Sequence, residues 1–213
     1  MWFTLLSVGV FGFFVSTDLF TMFMFYEVAL IPMYLLIGVW GSGRKEYAAM
    51  KLTLMLMGGS AFLLIGILGI FYGAGGETMN LLEIAKLHIP HEMQRIFFPL
   101  IFLGFGVLGA LFPFHTWSPD GHASAPTAVS MLHAGVLMKL GGYGCFRVAM
   151  YLMPEGAAMW GDVFLILTTI SVVYGAFSAV VQTDLKYINA YSSVSHCGLV
   201  LFALLMMTRT SCT

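Results

Sequence analysis

Long stretches with almost no charge constrain this chain more than any other feature. Residues 1–40 contain only two charged side chains, Asp18 and Glu27. As one helix this window would be about 60 Å long, whereas the hydrocarbon core of a membrane is about 30 Å thick and is crossed by about 20 apolar residues. The window must therefore break once, and its one polar cluster is Ser16-Thr17-Asp18. It predicts two membrane-spanning helices joined by a short turn.

The composition extends this interpretation to the whole chain. Of its 213 residues, 60% are hydrophobic and 9% are charged, whereas soluble domains carry about 25% charged residues. Most of the surface must therefore face lipid or other protein. The net charge of -1 and the lack of a basic or acidic tail argue against a nucleic-acid partner. The cysteines Cys145, Cys197 and Cys212 have no spacing that predicts a disulfide framework or a zinc site.

Polar residues divide the chain into seven predicted spans within a single membrane domain. The approximate spans are 1–17, 19–39, 48–72, 96–117, 127–152, 161–181 and 186–207. The N-terminal apolar run has neither a charged leader nor a small-residue cleavage site, so we interpret it as a retained span. In the longest polar segment, residues 80–87 have the pattern of a short amphipathic helix on the membrane surface. The predicted fold is an all-α, polytopic transmembrane helical bundle.

Charged residues inside the predicted spans are the first candidates for function. Glu27 lies about 13 Å into the second span, and Lys139 lies near the middle of the fifth. A charge at such depth is expensive, so these residues pair with each other, face water or relay protons. Two opposite charges at similar depth favour a proton path over a structural ion pair. Lys51 is near the start of its span, where it either joins that path or extends to the membrane surface.

Histidines and prolines mark a second candidate region. His133 precedes Lys139 by less than two helical turns and can carry protons near neutral pH, so we predict that it belongs to the relay. His115 and His122 lie in or beside a segment, 113–126, with three prolines in fourteen residues. Proline breaks a helix, and non-helical backbone at membrane depth is tolerated only inside protein or beside water. The segment predicts either a discontinuous helix beside a polar cavity or an ordinary loop.

Patterns for redox cofactors and nucleotides are missing from the sequence. Residues 73–76 are too irregular for a phosphate loop, and there is no Walker or Rossmann pattern. Flavin and iron–sulfur signatures are also missing. The glycines in residues 141–144 instead predict close helix packing. We therefore expect neither a cofactor nor a metal in this chain.

Several strings of residues, in order along nearly the whole chain, resemble one family. It is the antiporter-like subunit M, or chain 4, of the proton-pumping NADH–quinone oxidoreductase, respiratory complex I. Related antiporter subunits and membrane-bound hydrogenase subunits share parts of the pattern. The strings are FYEVALIPM at 25–33, HTWSPDGH at 115–122, APT at 125–127, GVLMKLGGYG at 135–144, QTDLK at 182–186 and AYSSVSH at 190–196.

The resemblance implies a fourteen-helix antiporter-like fold with a discontinuous helix, built from two inverted repeats of five helices. This chain resembles only the fourth to tenth of those helices, so we expect it to be part of a longer protein. By resemblance, Glu27 matches the family's ion-paired glutamate, Lys139 its inner lysine and Lys51 a lysine of the following helix. The loops at 40–47, 118–124 and 182–186 would face the cytoplasm.

The resemblance also implies what surrounds the chain. NADH, FMN, iron–sulfur clusters and quinone would be bound by partner subunits. The partners would be the other membrane subunits of complex I, among them the neighbouring antiporter-like subunits, and the lipid bilayer. The expected location is the bacterial inner (plasma) membrane.

One position departs from the family pattern. The family has a lysine in the broken helix, seven residues before the His-x-Trp motif and paired with the glutamate. Here that position is Leu108, which can neither pair with Glu27 nor pass a proton. Either the chain does not pump through the family's usual route, or another group takes the place of the lysine. Our hypothesis is that His133, one helix further along the chain, takes its place.

Three functions remain open from the sequence. The first is a non-redox, proton-translocating subunit of an NADH–quinone oxidoreductase. The second is a cation/proton antiporter subunit, or a membrane-bound hydrogenase subunit, of the same fold. The third is a haem-binding membrane cytochrome with His133 and His196 as axial ligands, although the sequence lacks paired histidines at a repeated spacing.

Overall fold

The chain folds almost entirely into helices, as the composition predicts. A computed structural model describes the backbone of residues 1–211 and the side chains of residues 1–206. Two π-helical segments, His133–Leu137 and Cys145–Met150, continue the helical run that starts at α7. The α-helices are α1 (Trp2–Val15), α2 (Leu19–Trp40), α3 (Lys45–Gly73), α4 (Leu81–Ile84), α5 (His91–Leu108), α6 (Trp117–Ser124), α7 (Thr127–Leu132), α8 (Met138–Gly144), α9 (Pro154–Val181) and α10 (Leu185–Ser211).

Four of the described helices are long and apolar enough to cross a membrane. They are α2, α3, α9 and the Leu185–Met206 part of α10. Helix length and composition thus support four of the seven predicted spans. The other three fall on the 14-residue α1, on α5, and on the helix from α7 to Met150, which two π-helical segments interrupt. The class of an all-α membrane protein follows from the four long helices alone.

The predicted span 96–117 is wrong at both ends. α5 begins at His91 and ends at Leu108, and residues 109–116 form turns before α6. A continuing helix would bring the Pro113 ring against the carbonyl of residue 109, and proline has no N–H to donate. Ala110 ends the helical geometry by adopting a φ of 54°. The segment is a discontinuous helix, and the alternative of an ordinary loop is wrong because most of the residues in 109–124 are buried.

Two further boundaries differ from the sequence prediction. α9 begins at Pro154 instead of residue 161, because proline is preorganised for the first helical position and Glu155 stabilises the first turn. The predicted surface helix at 80–87 is a single turn, α4, whose Leu82 N–H donates to Asn80 Oδ1 at 2.9 Å. It is not simply a surface element, since its residues 81 and 84 are fully buried.

Hydrogen bonds to the backbone define the two ends of the bundle. At one end, the turn before α2 pairs with the segment before α4, and Leu19 N–H donates to Met79 O at 3.0 Å. At the other end, Ser42 N–H donates to Ser124 O at 2.8 Å, and Lys186 Nζ donates to Ala123 O at 3.2 Å. The loops 40–47, 118–124 and 182–186 therefore share one end, as the resemblance implies.

Glycine allows α8 to pack directly on the end of α5. A Cβ on Gly141 would lie 2.5 Å from the backbone nitrogen of Gly109 and 2.6 Å from Phe105 O. Neither backbone atom can move away as a side chain could. The glycines of 141–144 therefore allow α8, which carries Lys139, to pack against the point where α5 breaks. Small residues allow the same close approach in other membrane helix pairs.

Candidate functional site

Lys51 forms an ion pair at the end of the bundle where the three loops meet. Its Nζ lies 2.6 Å from Asp120 Oδ2 of α6, and the two side chains are 23% and 29% exposed. The ammonium also lies 5.7 Å from the centre of the Tyr47 ring. Lys51 therefore does not extend freely to the surface, because it is held by a carboxylate of the HTWSPDGH string.

An open cavity of about 610 Å³ lies beside this ion pair. Its walls include Tyr47, Asp120 and the loop residues Arg44, Asp184 and Lys186. Both signs of charge line the cavity, so it is a polar depression that water can enter. The Asp120 carboxylate is thus within reach of solvent on one side and bound to Lys51 on the other.

Two histidines, His122 and His133, stack on each other in the interior of the bundle, and His122 follows Asp120 by two residues. The ring centres of His122 and His133 are 4.2 Å apart with planes tilted by 35°, and both residues are fully buried. His122 Nδ1 lies 2.9 Å from Ser130 Oγ of α7. His122 Nε2 and both ring nitrogens of His133 have no hydrogen-bond partner among the described residues. Such nitrogens are unusual in a folded interior and are available to a passing proton.

The charge state of His122 follows from its surroundings. It lies in α6, outside the predicted spans. Burial, followed by the nearby positive charge of Lys139, lowers the pKa of His122 to about 4. His122 is therefore neutral at pH 7, with one ring nitrogen that carries no proton.

Trp117 connects the histidine pair to the broken end of α5. Its ring stacks on His133 at 5.2 Å between centres, and its Nε1–H donates to Val107 O at 3.1 Å. Val107 is followed by Leu108, which is fully buried. The Trp117 indole ring thus separates His133 from the segment around Leu108, where the family that this chain resembles carries a lysine.

Lys139 lies on α8, and its ammonium contacts a thiol. Its Nζ donates to Cys197 Sγ of α10 at 3.5 Å. A small cavity of about 60 Å³ adjoins the pair. Cys197 is 4% exposed, and Lys139 is only partly covered by the described residues.

Glu27 stands apart from these contacts. Its Oε1 is buried and has no hydrogen-bond partner in the described part of the chain. No salt bridge joins Glu27 to Lys139 in the part of the chain that the structure describes. The alternative of a structural ion pair between these two charges is therefore not supported.

The structure thus brings three of the four predicted relay residues into contact with polar groups of other helices. Lys51 meets Asp120, His133 meets His122, and Lys139 meets Cys197. Sequence reasoning missed Asp120 and Cys197 and gave His122 no role. The signal for Asp120 and His122 was their place in the HTWSPDGH string, whereas nothing in the sequence marked Cys197.

Metal binding finds no support in this arrangement. Within residues 1–211, no group of three or more His, Cys, Asp or Glu side chains is placed to hold a metal ion. His133 is enclosed by the rings of Trp117 and His122, whereas His196 is exposed. The haem hypothesis, which needs His133 and His196 as a pair, is therefore not favoured.

Comparison with known families identifies the chain at the family level. Residues 16–213 match the family described as NADH:quinone oxidoreductase/Mrp antiporter, TM. The chain belongs to this family. It is 43% identical over 198 residues to "NAD(P)H-quinone oxidoreductase chain 4 3" of Picosynechococcus, covering 92% of this chain and 36% of that protein. It is 41% identical over 203 residues to the chloroplastic chain 4 of Citrus sinensis, covering 95% of this chain and 41% of that protein.

A solved structure agrees with these relatives. The chain matches one chain of respiratory complex I from Thermus thermophilus with bound NADH, with a TM-score of 0.88 and 30% identity. The match covers 94% of this chain and 43% of that one. The chain thus spans about 36% to 43% of the length of these family members. The predicted resemblance is confirmed, and the chain is a homologue of chain 4, a membrane subunit of an enzyme complex.

Proposed function

We propose that this chain is a proton-translocating, non-redox membrane subunit of an NADH–quinone oxidoreductase. Quinone reduction in other subunits would drive proton transfer through its buried side chains. The observation that carries this proposal is the stacked pair of His122 and His133, buried with three ring nitrogens that have no partner among the described residues. Along the chain His122 follows Asp120 by two residues and Lys139 follows His133 by six, and the charge of Lys139 acts on His122.

The first step of the proposed path is at the open cavity. Asp120 borders the cavity and binds Lys51, so protons from water can reach this ion pair. Gly121 follows Asp120, and a Cβ on Gly121 would lie 3.3 Å from the ring of His133. Asp120, the carboxylate that would take up the proton, is therefore separated along the chain from His122 of the histidine pair by one residue, Gly121.

The histidine pair carries the second step. A neutral imidazole takes up a proton at its free nitrogen and releases the proton already on the other, so each ring passes one proton with no net change in charge and is left in the other tautomer. Trp117 places His133 one ring away from the α5 segment that holds Leu108. The pair therefore lies one ring away from the segment in which a lysine is expected, and this proximity supports the hypothesis that His133 replaces it.

Lys139 and Glu27 complete the path within this chain. Lys139 follows His133 by six residues and would receive the proton. Glu27 supplies a buried carboxyl group whose charge would alter the proton affinity of its neighbours, as charges in low dielectric surroundings do. Coupling to the redox reaction would act by changing these electrostatic interactions.

The rest of the assembly follows from the family. NADH, FMN, iron–sulfur clusters and quinone would bind to partner subunits, and neighbouring antiporter-like subunits would flank this chain. The relatives named above come from a cyanobacterium and a chloroplast. We propose the bacterial inner membrane as the location of this chain, and the match to respiratory complex I from Thermus thermophilus supports this location.

The proposal is tested by replacing His133 with alanine in the assembled complex. Proton pumping should be abolished, while electron transfer from NADH to quinone continues in part. The measurement is the number of protons moved per NADH oxidised in membrane vesicles. His88→Ala is the matched control, because His88 is exposed outside the predicted spans. Adding Leu108→Lys to His133→Ala should restore part of the pumping, and an unchanged proton stoichiometry in His133→Ala would refute the relay.

A second function is favoured by the family description itself. The matching family also contains Mrp antiporter subunits, so a cation/proton antiporter subunit is the alternative. Dependence of transport on sodium separates the two functions. Pumping that stops without sodium supports the antiporter, whereas pumping that continues in sodium-free buffer supports the oxidoreductase subunit.

A further inference from the structure

We propose that the Cys197 thiol is a positioning residue for Lys139, fixing where the lysine holds its proton. This inference rests on the proposed function, because it gives Lys139 a partner within the proton path. It concerns a contact between α8 and α10 that joins residues 58 positions apart in the chain. Sequence spacing could not have indicated such a pair.

The contact is specific among the groups around Lys139. Cys197 Sγ is the acceptor for the Lys139 ammonium at 3.5 Å. Tyr143 is the other titratable residue lining the adjoining cavity, but its hydroxyl donates to Phe14 O of α1 at 3.2 Å. The remaining walls are glycine and apolar side chains: Gly109, Met138, Gly142, Val200 and Leu201. The thiol is therefore the side chain available to direct the ammonium.

The chemistry of the pair suits a group that is loaded and unloaded repeatedly. With one proton to share, the pair exists as ammonium and thiolate or as amine and thiol, and both forms are neutral overall. Taking up one more proton gives ammonium and thiol, with a charge of one. Release of a proton from the ammonium–thiol form leaves the pair neutral, and in the loaded form the sulfur supplies an acceptor that fixes where the ammonium points. His122 is the further titratable group that feels the charge of Lys139.

The test compares Cys197→Ala, Cys197→Ser and Cys145→Ala in the assembled complex. Because sulfur is a weak acceptor, its bond to the ammonium should be worth no more than an average hydrogen bond, or about fivefold in an equilibrium constant, so pumping by Cys197→Ala should fall about fivefold. Its pH profile should move to lower pH, because the ammonium loses an acceptor. Cys197→Ser keeps a hydroxyl at this place and should recover part of the loss. Cys145 is an equally buried cysteine that bonds Phe102 O instead, so Cys145→Ala should pump normally.

A spectroscopic readout does not depend on activity or on Cys197→Ala assembling. The S–H stretching band of Cys197 is assigned by its loss in Cys197→Ser. This band should shift in Lys139→Met, which removes the donor, and a band that stays in place would overturn the inference.

Lys139→Met also separates this inference from the proposed function. If Lys139→Met pumps normally, the proposed proton path through Lys139 is wrong. If Lys139→Met stops pumping while Cys197→Ala matches Cys145→Ala in rate and pH profile, the path stands and only the role of Cys197 is wrong.

Discussion

Gly141→Ala should weaken the packing that holds Lys139 against the break in α5. The added Cβ would meet Gly109 N at 2.5 Å and Phe105 O at 2.6 Å, whereas ordinary contact begins at 3.4 Å. Since both partners are backbone atoms in a packed interior, α8 must move away from α5 by roughly 1 Å. The contacts of Lys139, two residues before Gly141, should change with it.

The size of the effect follows from known costs of overpacking. Forcing an extra methyl group into a filled core costs about 1–3 kcal/mol, which lowers the population of the native packing by about fivefold to about 150-fold. Gly135→Ala is the matched control, because a Cβ at Gly135 meets nothing within 4 Å. Both variants add one methyl group to the same helical run.

The assay is the thermal midpoint of the detergent-solubilised complex, measured by the fraction that stays assembled on native gels. Gly141→Ala should lower this midpoint and reduce the number of protons pumped per NADH. Gly135→Ala should leave both values close to those of the wild type. Equal behaviour of the two variants would show that α8 is not packed on α5 as described.

Two further predictions concern charges around the histidine pair. Lys51→Asp and Asp120→Lys should each reduce pumping, and the double exchange should recover part of the loss. Because both side chains are partly exposed, we expect a coupling between them of about 1 kcal/mol, or roughly fivefold in pumping. A double variant no better than the worse single one would exclude the ion pair as a functional unit. Lys139→Met removes a positive charge that disfavours protonated His122, so the pKa of His122 should rise from about 4. Titration of ¹⁵N-labelled histidine by NMR would measure this rise, and a pKa that does not change would contradict the proximity of Lys139.

The long helices could be predicted from the sequence because their windows are uniformly apolar. α2 and α3 lie within three residues of their predicted bounds. The end of α5 could not be predicted from hydropathy, because residues 109–112 are as apolar as the helix before them. Only Pro113 indicated that the helix would break near this point. A proline does not indicate whether the segment that follows is buried or exposed.

Candidate charges could be found from their depth, but their partners could not. Lys51 and Asp120 are 69 residues apart, and Lys139 and Cys197 are 58 apart. Which side chains meet across helices depends on the rotation of each helix, and this rotation is set by packing at positions such as Gly141. His122 was undervalued for the same reason, since its contact with His133 exists only after α6 folds back into the bundle.

The proposed replacement of a lysine by a histidine pair would have a mechanical consequence. A lysine can carry a proton by swinging its long, flexible side chain between two partners. The His133 ring cannot swing, because the rings of Trp117 and His122 stack on it and the residue is fully buried. Its two nitrogens lie on different edges of one fixed ring, so a proton must arrive at one nitrogen while another leaves from the second. In the proposed path the proton would therefore pass the position of Leu108 by exchange within fixed rings, and gating would come from the charged groups Asp120 and Lys139.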